Sequence, residues 1–157
     1  MQPADHDEVM RLLAHWNLAP LAPSAEIPHP ECAKFVVENA LVAVDGGRIV
    51  GVRSYLQLSP TLVEGESFAV APDYRGQGIG KRLADESRRL MIRRGFRTMR
   101  SEADRPEVIR WLVARGNRIV GTIPKRHAFG SAEVDHWTVL ELELDTLPEF
   151  AKGGVRE

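Results

Sequence analysis

At 157 residues the chain has the length of one ordinary domain, enough to bury about two thirds of its unfolded surface in a single core. Apolar residues make up 43% and charged residues 27%, which excludes a disordered or fibrous class, and a net charge of -1 gives no global field to attract nucleic acid or an anionic membrane. Cys32 is the single cysteine, so an internal disulfide and a Cys-rich zinc site are excluded, and Cys32 is expected to be a small buried apolar residue.

The N-terminus lacks the charged start and apolar run of a secretory signal, and no window approaches 18 apolar residues. A cytoplasmic protein without a membrane partner is therefore expected. Asp5 to Trp16 carries Val9, Leu12, Leu13 and Trp16 at helical spacing behind an acidic first turn, which predicts the first helix. Prolines at 20, 23, 28 and 30 then break regular structure, with a short helical turn expected around Glu31 to Val37.

Leu41 to Val44 and Arg48 to Leu58 flank Asp45-Gly46-Gly47, the pattern of a two-strand hairpin with a tight turn. Leu62 to Val70 continues as a third strand after the reversal Ser59-Pro60-Thr61. Ile79, Leu83, Leu90 and Met91 form one stripe of a helix from Ile79 to Arg94, stopped by Gly95 with Phe96 as its hydrophobic contact. The arginines at 82, 88, 89, 93 and 94 on this helix read as a solvated face with i,i+4 pairs such as Asp85 with Arg89.

Phe96 to Glu102 reads as a strand. Asp104-Arg105-Pro106-Glu107 then opens a helix with Asp104 as its cap, a proline in the first turn and Glu107 placed for a capping box; the helix ends at Gly116. Arg118 to Ile123 and Trp137 to Leu144 are the last two strands, and 148–157 is expected to be a flexible tail behind a single domain at 1–147. A strand, helix, strand run at the centre implies a locally parallel pair, so the fold class is α+β, a mixed sheet of six to seven strands with helices on both faces.

The chemistry concentrates at Arg75-Gly76-Gln77-Gly78-Ile79-Gly80, between the third strand and the helix. A helix N-terminus offers unpaired N–H groups and about half a positive charge, so a phosphate is the natural guest. Arg75 adds a forked cation, and glycines let a ligand approach the main chain. A nucleotide P-loop fails, because position 75 is not glycine and Arg82 replaces the metal-binding hydroxyl; a dinucleotide fingerprint fails at Lys81 and Leu83.

Arg75, Gly78 and Gly80 fit the spacing Arg/Gln, two residues, Gly, one residue, Gly/Ala, after a strand ending Val70-Ala71-Pro72 and before an amphipathic helix. Here the chain resembles the GNAT superfamily of acyl-CoA-dependent acyltransferases, over roughly residues 40 to 144. The resemblance implies the GNAT fold and an N-acetyltransferase using acetyl-CoA, or another short acyl-CoA, on a primary amine of a small molecule or peptide by direct attack, with no metal. It implies that the amides of residues 75–80, namely Arg75, Gly76, Gln77, Gly78, Ile79 and Gly80, hold the coenzyme A pyrophosphate, with Arg75 and Lys81 as charge contacts. It also implies that Phe68, Ala69 and Val70 pair with the pantetheine arm where this strand splays from the next.

An attacking amine needs a proton acceptor. Glu64 and Glu66 precede the loop and, at a period of two, share a face with Phe68 and Val70; Glu102 is a third candidate, and solvated edge carboxylates are the alternative reading of the first two. The tyrosine that many members of the family place four residues before the glycine ending the second helix is absent, since Leu112 stands there with Trp111 beside it and Asn117 follows Gly116. Tyr55 and Tyr74 are the remaining tyrosines, and a coenzyme A thiolate leaves readily, so loss of that acid slows transfer rather than forbidding it.

Lys125, Arg126 and His127 form a basic turn that binds an acceptor carboxylate or phosphate, or is merely solvated; His29 and His136 are further pocket candidates. No His, Cys or Asp pair has metal-ligand spacing. The alternative to an enzyme is an acyl-CoA-binding sensor or interaction module. The family's usual first strand is shortened or absent, which exposes a sheet edge and favours a homodimer.

Overall fold

The structure, a computed structural model, describes residues 1–19, 35–125 and 129–144. The expected tail 148–157, residues 31–34 of the expected helical turn, and His29, Cys32, Arg126 and His127 lie outside the described residues. A 3-10 turn at Pro3–Asp5 leads into α1 (His6–His15), and a second at Val37–Asn39 leads into β1 (Ala40–Asp45). β2 (Arg48–Gln57), β3 (Leu62–Val70), α2 (Ile79–Arg93), β4 (Thr98–Ala103), α3 (Pro106–Ala114), β5 (Arg118–Pro124) and β6 (His136–Glu143) follow.

The six strands form one sheet in the order β1-β2-β3-β4-β6-β5, with β3 and β4 parallel and every other pair antiparallel. The β1–β2 turn has both Gly46 and Gly47 at positive φ, 54° and 81°, the conformation a two-residue hairpin of matching twist requires. Ser59 Oγ accepts from the N–H of Thr61 and Leu62 and so closes the next reversal.

α1 covers one face of the sheet, packing Val9, Leu12 and Leu13 on Val50, Val52 and Ala69. α2 covers the other with Met91 against Tyr55, Val63 and Met99, and α3 joins it there with Leu112 on Ala103 and Leu140. Glu8 of α1 also accepts from the N–H of Ile49 at 2.8 Å. α2 comes close to the sheet because Gly51 lies under it: a methyl group there would stand 2.8 Å from Leu83 Cδ1.

Both long helices end as the glycines suggested. Gly95 has φ 87°, Gly95 N–H donates to Ile92 O and Phe96 N–H to Met91 O, the double bond of a Schellman cap, and Phe96 joins Met91 in the core. Gly116 and Asn117 repeat the arrangement over Leu112.

The start of α3 departs from the expected capping box. Arg105, in an extended conformation, occupies the cap position and no side chain caps the helix. Asp104 is instead buried and bound to Lys125 Nζ at 2.8 Å and to Ser131 N–H at 2.6 Å. The arginine face of α2 is also revised, because Arg88 is buried at 3% exposure. Asp85 pairs with Lys81 and Arg115 rather than with Arg89, and Arg89 pairs with Glu86. Among the described residues no helix is long and apolar enough to cross a membrane.

Candidate active site at the β3–β4 fork

β3 and β4 pair only from Leu62↔Thr98 to Gly65↔Ser101; beyond Gly65 they separate. The gap opens into a slot of about 490 Å³, of the size that small ligands occupy. One end of the slot is the turn Arg75 to Gly78 and the first turn of α2, the other the fork itself, with Trp111 and Leu112 of α3 along one wall.

The turn fits an anion. Gly76 and Gly78 have φ 76° and 83°, a region a side chain enters only at a cost, and a Cβ at either would meet nothing within 4 Å, so both glycines are set by backbone conformation and leave the approach open. Arg82 N–H closes the first helical bond to Gly78 O, which leaves the N–H groups of Ile79, Gly80 and Lys81 directed out of the helix. The preceding turn is braced by Arg48, whose two Nη groups donate to Asp73 at 2.7 and 3.1 Å, and by Tyr74, whose hydroxyl donates to Asp45 at 2.7 Å. A Cβ added at Gly80 would stand 3.7 Å from the Phe68 and Val70 side chains, so the helix start lies close over β3.

Along the β3 edge of the slot, Ala69 pairs with Val52, and just past the strand Ala71 N–H donates to Val50 O, so their main-chain groups face β2. Strand alternation therefore turns those of Phe68 and Val70 toward the slot. Trp16, at the end of α1, donates its Nε1–H to Val70 O at 3.0 Å and lies under the guanidinium of Arg75 at 5.1 Å. Hydrophobic spacing had marked Trp16 only as a core residue of α1.

The three carboxylates meet, but not by the expected alternation. Val63 packs toward α2 and Ala69 toward α1, although they are six residues apart. The cause is a bulge at Glu66–Ser67, where two residues oppose Ser54 alone and Ser54 Oγ accepts the extra N–H of Ser67 at 2.9 Å. Glu64 consequently does not share a face with Phe68 and Val70. Glu66 lines the slot at the bulge, and so does Glu102.

Burial first, then the charges of Glu64 and Glu102 and a hydrogen bond with Glu64, push the Glu66 carboxyl up to about 8, against a smaller opposing pull from Arg53. Its Oε1 is buried with no hydrogen-bond partner among the described residues.

The remaining candidates are placed elsewhere or already engaged. Lys125 Nζ gives its three protons to Asp104 Oδ2 at 2.8 Å, Phe129 O at 2.8 Å and Ser131 O at 2.9 Å, and stacks on Trp137 at 4.6 Å. No donor of Lys125 is left for an acceptor. His136 is exposed and paired with Asp135. Tyr55 is buried under β3 with Arg94 donating to its hydroxyl, and Tyr74 is held by Asp45, so neither hydroxyl is directed at the fork.

The profile of the acetyltransferase (GNAT) family matches residues 6–110. No curated protein sequence matches the chain. Among solved structures, Ard1 from Thermoplasma volcanium superposes with a TM-score of 0.72 at 19% identity, covering 91% of this chain and 93% of that one. An aminoglycoside 6'-N-acetyltransferase complexed with coenzyme A gives 0.69 at 18%, with 94% of each chain covered. The ribosomal-protein-S18-alanine N-acetyltransferase of Escherichia coli gives 0.67 at 16%, covering 95% and 94%. At these identities the likeness is one of fold, whereas the family match spans two thirds of the sequence and takes in the Arg75–Gly80 turn: the chain belongs to the GNAT family of acetyltransferases.

Proposed function

We propose that this protein is an N-acyltransferase that moves an acetyl group from acetyl-CoA to a primary amine of a small molecule or peptide by direct attack. The observation that carries the reading is the continuity of one slot from the anion-binding start of α2, past the open edge of β3, to a raised carboxyl at the fork. In this reading the N–H groups around Gly76 to Lys81 hold the pyrophosphate with Arg75, and the main chain of Phe68 and Val70 pairs with the pantetheine arm. The neighbour solved with coenzyme A has the same fold.

Glu66 is the proposed base. An amine nitrogen attacks the thioester carbonyl, the C–N bond forms, the C–S bond breaks with its electron pair leaving on sulfur, and the ammonium proton passes to Glu66 directly or through water. Burial, with the charges of Glu64 and Glu102 added to it, keeps Glu66 at its raised value, and those two carboxylates present negative charge to an incoming ammonium. A second reading, an acyl-CoA-binding module without efficient turnover, draws on Leu112 in the slot wall and on the two engaged tyrosine hydroxyls.

Thermal shift with acetyl-CoA, coenzyme A and ATP separates these from a generic phosphate site: stabilisation by both coenzyme A species and not by ATP is expected, and none from either overturns the reading. Thiol release across a panel of amines then decides between transfer and binding alone. We also propose that two copies pair along β5, an edge strand exposed throughout, with Ile119, Val120 and Ile123 36–52% accessible.

A further inference from the structure

We infer that the slot selects a thioester whose acyl chain ends in a carboxylate, such as a malonyl or succinyl group, and that Arg53 reads that carboxylate. This rests on the acyl-CoA reading above and replaces its acetyl group with a carboxyacyl group as the preferred donor.

Arg53 lies opposite Phe68 in the β2–β3 register, and its guanidinium sits against Gly65, where any Cβ would overlap it. Gly65 is the last residue of β3 paired with β4, so the cation stands directly beneath the fork, where the acyl group of a bound thioester would end. The residue is 6% exposed. A guanidinium has five N–H donors, yet the one hydrogen bond of Arg53 among the described residues is a 3.4 Å contact to the thioether of Met99, supplemented by the Phe68 ring at 4.9 Å.

Burial lowers its pKa only to about 10, so the charge remains at neutral pH. Glu66, whose charge is the counterweight, is itself mostly protonated there. A buried cation with so few partners is costly unless a further anion pairs with it.

Behind Arg53 is a cavity of about 30 Å³, room for one or two water-sized groups, which shares Arg53, Phe68, Ser101 and Leu112 with the slot. Its lining adds Arg88 and Ser87, and Ser87 Oγ is buried with no hydrogen-bond partner among the described residues. Donors therefore converge on this cavity, and among the described residues no Asp or Glu lines it. An acetyl methyl would leave the Arg53 guanidinium and the Ser87 hydroxyl poorly matched, whereas a carboxylate one or two methylenes further on meets them. Charge also assigns the anion to the donor rather than the acceptor. Around the largely neutral Glu66 carboxyl, Glu64 and Glu102 carry the negative charge that opposes a further carboxylate, with Arg100 at 3.8 Å from Glu102 offsetting part of it.

The transfer is unchanged in its balance: the C–N bond forms, the C–S bond breaks, thiolate leaves, the amine proton goes to Glu66, and the distal carboxylate stays intact on Arg53 throughout.

Calorimetric titration of the purified protein with coenzyme A, acetyl-CoA, propionyl-CoA, malonyl-CoA and succinyl-CoA tests the inference without an acceptor. One carboxyacyl species is expected to bind at least about tenfold more tightly than acetyl-CoA, the lower end of what charge-assisted hydrogen bonds supply. Arg53→Met is expected to abolish that difference and Arg53→Lys to keep part of it. Acetyl- or propionyl-CoA binding as tightly as both carboxyacyl species overturns the inference while leaving the acyl-CoA reading intact. Failure of coenzyme A itself to bind overturns both. The wild-type comparison decides the matter even if a variant at Arg53 does not fold.

Discussion

The indole Nε1–H of Trp16 donates to the carbonyl of Val70 at 3.0 Å, from the side of β3 that faces the slot. That carbonyl lies on the strand edge facing the slot, and a pantetheine amide pairing with β3 would compete with Trp16 for it. Coenzyme A binding should therefore move the indole. Addition of coenzyme A should change the tryptophan emission, and Trp16→Phe should remove more than half of that change while tightening binding about threefold, the worth of one modest hydrogen bond no longer displaced. An unaltered emission change in Trp16→Phe would place the indole outside the ligand's path.

Gly78 caps α2 at φ 83° with open space where a Cβ would stand. Gly78→Ala is thus a conformational change without a clash, costing about 1 kcal/mol of stability. Because the same turn aims the N–H groups of Ile79 to Lys81, coenzyme A affinity should fall by about tenfold, more than the stability loss alone would suggest. Arg75→Ala should weaken binding similarly, with a melting temperature within a degree or two of the parent, since its visible contact is the exposed stack on Trp16.

The Glu66 carboxyl, pushed up to about 8, predicts two pH effects of opposite use. As a base it works only when ionised, so kcat/KM should rise about tenfold per pH unit below 8 and level above it, and Glu66→Gln should lower and flatten the profile. For stability, the folded state holds a proton that the unfolded chain, at an ordinary value of 4.5, has lost. Unfolding free energy should accordingly fall as pH rises from 4.5 to 8, by up to about 5 kcal/mol. Glu66→Gln should lack that fall and exceed the parent in stability above pH 8; denaturant melts at pH 5, 7 and 9 measure it.

The elements that obey one period were legible from sequence: the Asp45-Gly46-Gly47 hairpin, the Gly95 and Gly116 helix ends and the Arg75–Gly80 turn. What escaped were residues whose setting depends on a break in that period. The Glu66–Ser67 bulge shifts β3 by one residue, and nothing in the local composition marks it; the partner hydroxyl, Ser54, sits on another strand. Arg53 carried no functional expectation within the strand Arg48 to Leu58. Its signal was its isolation, a lone cation in the otherwise uncharged run Ile49 to Leu58, together with a glycine at 65 on the strand beside it. Lys125 belonged to a basic turn by sequence, and only the return of the chain to Asp104 shows its charge to be matched internally.

Lys125 and Asp104 are 6% and 7% exposed, with two carbonyls completing the lysine's coordination. Removing either partner leaves a buried charge unmatched, so Lys125→Met should cost about 3–5 kcal/mol and lower the melting temperature by roughly 10 °C. Lys125→Met with Asp104→Asn should recover part of the loss. Additive losses in the double variant would show the pair to be uncoupled.

β5 ends the sheet next to β6, and each of its seven residues is exposed. Among the described residues no strand lies beyond its outer N–H and C=O groups, while Ile119 and Val120 stand 52% and 43% accessible around a bulge. Monomeric proteins protect such edges with charge or by covering them; here Arg118 at the strand start is the one charged side chain on it. Pairing of two β5 strands would satisfy the edge and remove the apolar side chains from water at about 25 cal/mol per Å². Light scattering at micromolar concentration should then report a dimer. A lysine at position 119 or 120 would set like charges side by side across the two-fold pair, and Ile119→Lys or Val120→Lys should shift the species to monomer without lowering the monomer's helix and sheet signal. A parent protein that stays monomeric up to about 100 μM, a weak association by the usual affinity scale, would remove β5 as the interface.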